Sequence, residues 1–369
     1  MTAPGVLVLG MHRSGTSAVT RALALLGLDA GRPAAMMEAA PSNRSGHWEL
    51  ADLTAFNDRL LREVGGRWSG PPTDGGRLAD AAAGPLGDAA RALADELLPT
   101  GPWVWKDPRL CLTLPFWREV LGERPTTAVV CLRHPLEVAA SLGRRNGLIE
   151  AYGVALWERY LRSLWADIGG RPALVVAYDA AVDRPADTVD ALAGFVEQRT
   201  GVKPSARARD DAAGSLDGGQ RHHEVDVEVR SPVLSEPQQQ LFEWSLSLVG
   251  THDALPAPDL GPETPGLQLA FDEHTRMAEF EDETLRLRAG IDQARAEEQA
   301  KARADLDRHT LFFHQELERR SAEASMLAND VMAARAQVAD LQATLDHIRR
   351  RPPVRAYLAV RRRLARPRR

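Results

Sequence analysis

The chain has 369 residues, 44% of them apolar, two cysteines and a formal net charge of −5. That is enough apolar content for a substantial core and too little cysteine for a disulfide scaffold, and no run of about 18 apolar residues is present to span a membrane. Residues 349–369 hold ten arginines and no acid, so a basic tail follows a more acidic body. The start lacks a charged and apolar leader and both thiols sit in apolar surroundings, which makes the cytoplasm the expected location.

The first apolar run, Val6-Leu7-Val8-Leu9, predicts a strand over Gly5–Leu9. It leads directly into Gly10-Met11-His12-Arg13-Ser14-Gly15-Thr16-Ser17, and a helical pattern continues to Leu26. Strand, glycine loop and helix together aim backbone N–H groups and a helix N-terminus at an anion. Gly10 and Gly15 keep the spacing of a P-loop, but Thr16 stands where the Walker lysine belongs and the cation has moved to Arg13. A kinase or NTPase needs that lysine on the β/γ-phosphates with Mg²⁺ beside it, so the loop suits a donor without a triphosphate.

Further helical patterns cover Leu50–Val64, Ala89–Leu98, Leu136–Leu142, Val154–Ile168 and Ala186–Val196, and short buried-strand runs occupy Trp103–Trp105, Thr127–Leu132 and Ala173–Ala177. This alternation predicts an α/β class with a P-loop-type parallel sheet flanked by helices. Gly65–Gly87 reads as a long loop or lid and Gly201–Gly219 as a second polar loop; Pro232–Val249 reads as a helix opening at Ser235-Glu236-Pro237. The expected domain runs over 1–250, followed by a proline-rich linker over 251–270, a long helix or coiled coil over 271–350 and the basic tail over 351–369. Leu327, Val331, Ala334, Val338, Leu341, Leu345 and Ile348 alternate steps of four and three, which is a coiled-coil seam and suggests a homodimer. The aliphatic and arginine mixture after Val354 suits an anionic membrane surface, placing the protein at the inner membrane face; nucleic acid is a weaker fit.

A second anion signal follows the third strand. Arg133 leaves the strand end, Pro135 opens a helix, and Ser141 lies two turns into it, so the pair can grip one anion from two sides. The chain here resembles the sulfotransferases that use 3′-phosphoadenosine 5′-phosphosulfate. Their 5′-phosphosulfate loop is similar to Arg13-Ser14-Gly15-Thr16-Ser17, and their 3′-phosphate motif is similar to Arg133 and Ser141, eight residues apart. The stretch Ala173–Asp179 resembles the strand whose tyrosine, here Tyr178, lies near the adenine. Arg221, within Gln220-Arg221-His222, stands in for a late nucleotide segment that is otherwise not recognisable. The likeness covers roughly residues 5–250. It implies 3′-phosphoadenosine 5′-phosphosulfate as donor, no metal, and, from arginine rather than lysine at position 13, a carbohydrate or glycolipid acceptor.

The resemblance extends to Asn43-Arg44-Ser45-Gly46-His47-Trp48-Glu49, where Glu49 is the candidate base for the acceptor hydroxyl, with His47 and His12 as alternatives. An acid at a helix start is also favoured by the helix dipole alone. Arg13 is assigned to the leaving phosphate. Lys106, in Trp105-Lys106-Asp107-Pro108-Arg109, is assigned to the transferring group; Arg109 is assigned to Asp107 or to an acidic acceptor. Trp48 and Trp68 are acceptor candidates, whereas Trp103, Trp105 and Trp117 suit the core. Two other readings compete: a small-molecule P-loop kinase, and an inactive transferase domain serving as a coiled-coil adaptor.

Overall fold

A computed structural model describes residues 3–37, 46–72, 75–216, 234–302 and 310–350. Arg221 and the basic tail expected at a membrane surface fall outside these residues, as do Asn43, Arg44 and Ser45. Two compact units divide at Asp282 and Glu283.

The first unit is built on a five-stranded sheet of β1 (Gly5–Leu9), β2 (Trp103–Lys106), β3 (Thr126–Leu132), β4 (Ala173–Ala177) and β5 (Gly250–His252). Its order is β2-β1-β3-β4-β5; the first four strands are parallel and β5 is antiparallel to β4. The register sets Val8 beside Lys106 and Leu9 beside Val130, so the carboxyl ends of the parallel strands emerge together. Alternation along each strand feeds two cores. Val6, Val8, Val129 and Leu174 pack on one face with α1 (Thr16–Leu25), α9 (Pro185–Thr200) and α10 (Ala206–Ser215). On the other face Leu7, Leu9, Trp105 and Val130 pack with α2 (Ala51–Glu63), α4 (Pro85–Leu97), α5 (Leu110–Leu121) and α7 (Glu150–Ile168). Trp103, Trp105 and Trp117 are buried there, as their setting predicts. The short α8 (Tyr178–Asp183) continues from β4, and α6 (Pro135–Asn146) opens right after β3.

Several expectations are corrected. Gly65–Gly87 is no lid. Residues 65–72 form a turn pinned by Tyr160 Oη donating to Trp68 O at 2.8 Å and by Tyr152 Oη donating to Ser69 O. Within that stretch α3 (Gly75–Ala81) forms and α4 begins. Gly201–Gly219 contains α10, started by the Ser205 hydroxyl accepting from Ala208 N. The helix α11 (Glu236–Ser247) opens with a full capping box between Ser235 and Gln238. The proline-rich segment is not a free linker. Leu255, Leu267 and Phe271 are buried in the core of the first unit, and Arg162 donates to the carbonyls of Leu260, Gly261 and Pro262. The unit therefore ends at Asp282, within α12 (Leu267–Ala302), instead of at 250. The second unit carries the rest of α12 and α13 (Thr310–Arg350). No helix of the described residues is long and apolar enough to cross a membrane.

Candidate active site

The glycine loop follows β1, Lys106 ends β2, Arg133 follows β3 and Tyr178 follows β4. All four lie at the carboxyl edge of a sheet whose strand order reverses beside β1, where open α/β sheets hold their ligands. One cleft at this edge is lined by residues 12–19 together with His47, Glu49, Lys106, Arg133 and Tyr178.

The loop needs its glycines. Gly10 has φ 148° and Gly15 φ 84°; a Cβ on Gly15 would lie 2.5 Å from the Tyr178 ring. Tyr178 packs on that bare backbone, and the Arg133 guanidinium lies over its ring at 4.2 Å from the centroid. Arg13 adopts φ 71°, a left-handed conformation uncommon outside glycine. Its Nε donates to Ser141 Oγ at 2.8 Å, while its carbonyl accepts from Arg133 Nη1 at 2.9 Å. Arg133 Nε is held by Glu137 at 2.7 Å. Arg133 and Ser141 thus meet through Arg13, which lines the cleft with Arg133.

Lys106 is buried with three acceptors around its ammonium: the Glu49 carboxylate, the His47 carbonyl at 3.0 Å and Ser17 Oγ at 3.1 Å. Ser17 Oγ also donates to the His47 carbonyl at 3.0 Å, which ties the 46–49 segment to the glycine loop. Trp48, with φ 54°, makes the bend that turns this segment into α2. Glu49 lies just before that helix and answers Lys106, so its setting is an ion pair across the cleft more than a helix dipole. Below them Asp107 accepts from Asn57 Nδ2 at 2.8 Å and from Arg109 N at 2.9 Å. Arg109 pairs with Asp107 and Asp58, with Nε 2.6 Å from Asp58 Oδ1, and is not among the residues lining the cleft.

Two buried atoms in the loop, His12 Nε2 and Ser14 Oγ, have no hydrogen-bond partner. An orphaned ring nitrogen and hydroxyl within a ring of cations are what an anionic ligand would satisfy. Two of those cations were not read from sequence: Arg21 and Arg145 line the cleft, four residues after Ser17 and Ser141 on the same helix faces. Burial, then Arg145 and Arg133, hold Arg13 below its ordinary range. Burial lowers His47, against the pull of Glu49. Trp68 does not line the cleft; its ring stands 5.0 Å from that of His12. Trp48 is half-buried beside Glu49. Cys111 and Cys131 are buried free thiols, and Cys111, accepting from Gly10 N, is pushed up to about 12 chiefly by burial.

His12 gives a pH dependence. Burial first, then Arg109, Lys106, Arg145 and Arg13, push its pKa well below 6.5. The unfolded chain therefore binds the extra proton first as pH falls, so His12 favours the fold above about pH 6.5 and weakens it below, by at most about 1.4 kcal/mol per pH unit. The wild type should lose more melting temperature between pH 7.5 and 5.5 than His12→Asn; equal losses would remove His12 as the cause.

No protein-family model matches the chain, and no curated protein matches it in sequence. Solved structures similar to it include the sulfotransferase domain from the curacin biosynthetic pathway, at 16% identity and TM-score 0.38, over 69% of this chain and 100% of that one. A sulfotransferase from Mycobacterium tuberculosis follows at 16% and 0.34, over 66% and 77% of the two chains. The sulfotransferase domain of a Synechococcus olefin synthase matches at 17% and 0.33, over 75% and 94%.

Proposed function

We propose that the first unit is a sulfotransferase that uses 3′-phosphoadenosine 5′-phosphosulfate and delivers to a hydroxyl of a carbohydrate or glycolipid. The observation that carries this reading is the pair of clusters at the cleft. Arg13, Arg133 and Ser141 form one bonded cluster and Ser17, Lys106 and Glu49 a second, both joined to a glycine loop with unsatisfied polar atoms. A nucleotide with phosphates at both ends of its nucleoside fits that arrangement. Tyr178, which lines the cleft beside Arg133, is placed to meet the base.

When bound, such a donor supplies an activated sulfuryl group. The amides at the start of α1 and the Ser17 hydroxyl would hold the 5′ end, and Arg133 with the Arg13–Ser141 pair the 3′ end. Glu49 would take the proton of the acceptor hydroxyl at its carboxylate. As Glu49 gains that proton its attraction for Lys106 falls, which frees the ammonium for the negative charge gathering on the leaving oxygen. The half-buried Trp48, beside Glu49, offers a surface suited to the C–H face of a sugar.

The test is donor recognition without added Mg²⁺. Adenosine 3′,5′-bisphosphate should raise the melting temperature well above the effect of adenosine 5′-phosphate or ATP. Removing Arg133 alone would strand the buried Glu137, so the informative variant pairs Arg133→Ala with Glu137→Gln. It should weaken the bisphosphate by about 1.5–3 kcal/mol, the range for a hydrogen bond to a charged group. Equal binding of the mono- and bisphosphate defeats the reading, and preference for ATP with Mg²⁺ turns it toward a kinase.

A further inference from the structure

The second unit exposes an apolar row that the site does not use. In α13, Leu327, Val338 and Leu341 are 41%, 49% and 58% exposed, although they fall on one line of the helix with Val331 and Ala334. A helix that leaves such a row in water lacks the packing from which helices in proteins draw most of their stability. We propose that a second copy of this chain covers the row, as a parallel, in-register, two-stranded coiled coil.

Three features of the helix single out this occupant. First, the steps of four and three assign Val331, Val338 and Leu345 to the a positions, and Leu327, Ala334, Leu341 and Ile348 to the d positions. Val338 at a with Leu341 at d is the combination that favours two parallel strands, and Leu345 with Ile348, which leans to higher order, is confined to the last heptad. Second, the flanking rows are separated by charge. The g positions are Glu316, Glu323, Asp330, Gln337 and Thr344, acidic or neutral throughout; the e positions are His314, Ser321, Ala328, Arg335, Gln342 and Arg349, basic or neutral throughout. A parallel pair sets g against the e row of its partner, which brings Asp330 opposite Arg335 twice and Gln337 opposite Gln342 twice. An antiparallel pair sets g against g and e against e, acid facing acid and arginine facing arginine, which costs stability. Third, the chain just upstream offers little to cover the row from within. Between Ile291 and Leu306 no large aliphatic or aromatic residue occurs, only alanine among charged and polar residues. In a parallel pair the two arginine-rich C-termini leave from the same end.

The test uses the full chain. Sedimentation velocity should give a dimer, and the double variant Val338→Asp, Leu341→Asp should be a monomer at concentrations where the wild type is dimeric. The melting shift given by adenosine 3′,5′-bisphosphate in the variant should equal that of the wild type, since the first unit is untouched; should that ligand fail on both proteins, the dimer measurement still stands alone. For orientation, Leu327→Cys and Leu341→Cys are made separately and oxidised. Each should crosslink to its own copy, because only a parallel register brings like residues together at both places; the native thiols, being buried, contribute little. Reversing one charge with Asp330→Arg should weaken the dimer and adding Arg335→Asp should restore it. A monomeric wild type overturns the proposal, as does a dimer that survives the double aspartate variant. A dimer in which only one or neither cysteine crosslinks overturns the parallel register.

Discussion

Glu49→Gln is expected to bind adenosine 3′,5′-bisphosphate like the wild type and to lose about 10²–10⁴ in turnover, the contribution of a positioned general base. The amide is the right substitution because it keeps a carbonyl oxygen where Lys106 needs an acceptor. Lys106 is 4% exposed and bonded to the Glu49 carboxylate, the His47 carbonyl and Ser17 Oγ. Alanine would leave the ammonium one acceptor short in a buried place and mix a folding defect with the chemistry. Donor affinity measured by calorimetry and turnover measured with labelled donor separate the two effects. Wild-type turnover in the amide variant moves the proton acceptor to His47 or His12. Burial already holds both of these imidazoles below their ordinary pKa, so the base would then titrate on the acid side of 6.5.

The parts of this site that were legible in the sequence are those fixed by local chemistry. Four short apolar runs announced the parallel strands because strands covered on both faces need nothing but apolar residues. The glycine loop announced itself because two positions require φ values that favour glycine. Arg133 and Ser141 were legible because strand end, Pro135 and a helix of known pitch set their relative placement. What stayed hidden depends on contacts between distant segments. The Glu49–Lys106 pair joins residues 57 apart, and the Arg13–Ser141 bond joins residues 128 apart. No local pattern shows that Arg13 turns toward Ser141. Arg109 reads as a partner of Asp107 or of an acidic acceptor, and only the fold brings Asp58, from α2, against it as well. α3 and α10 were read as loops because their glycine, aspartate and serine content favours turns, and tertiary packing overrode it: Leu78 and Ala212 are buried. α5 carries Pro115 and so lacks a clean helical signature. β5, of three residues, has no strand pattern and exists by pairing with β4.

The proline-rich segment is the clearest case of a tertiary contact overruling composition, and it carries the largest stability prediction. Glu158, on α7, is fully buried and accepts from three elements: Arg162 Nε at 2.8 Å, Gln238 Nε2 of α11 at 3.0 Å and Thr264 N at 3.0 Å. Arg162 in turn donates to the carbonyls of Leu260, Gly261 and Pro262, at 2.8, 3.2 and 2.6 Å. One carboxylate therefore ties the segment after β5 and the capped start of α11 to a helix of the main core. Glu158→Ala leaves Arg162 buried without its counter-charge and the Gln238 and Thr264 donors without their acceptor. The expected cost is about 3–5 kcal/mol, as for breaking a buried ion pair from one side. In a unit of this size that is roughly 6–20 °C of melting temperature. The double variant Glu158→Met, Arg162→Met removes both charges and should recover part of the loss, because the desolvation penalty of the orphaned guanidinium disappears while the Gln238 and Thr264 donors and the three carbonyls stay without their partners. Urea unfolding of the three proteins gives the energies, and proteolysis within 253–266 reports the segment directly. A loss below about 1 kcal/mol in Glu158→Ala, the scale of an exposed pair, with the segment no more cleavable than in the wild type, would mean that Leu255, Leu267 and Phe271 hold it by burial alone.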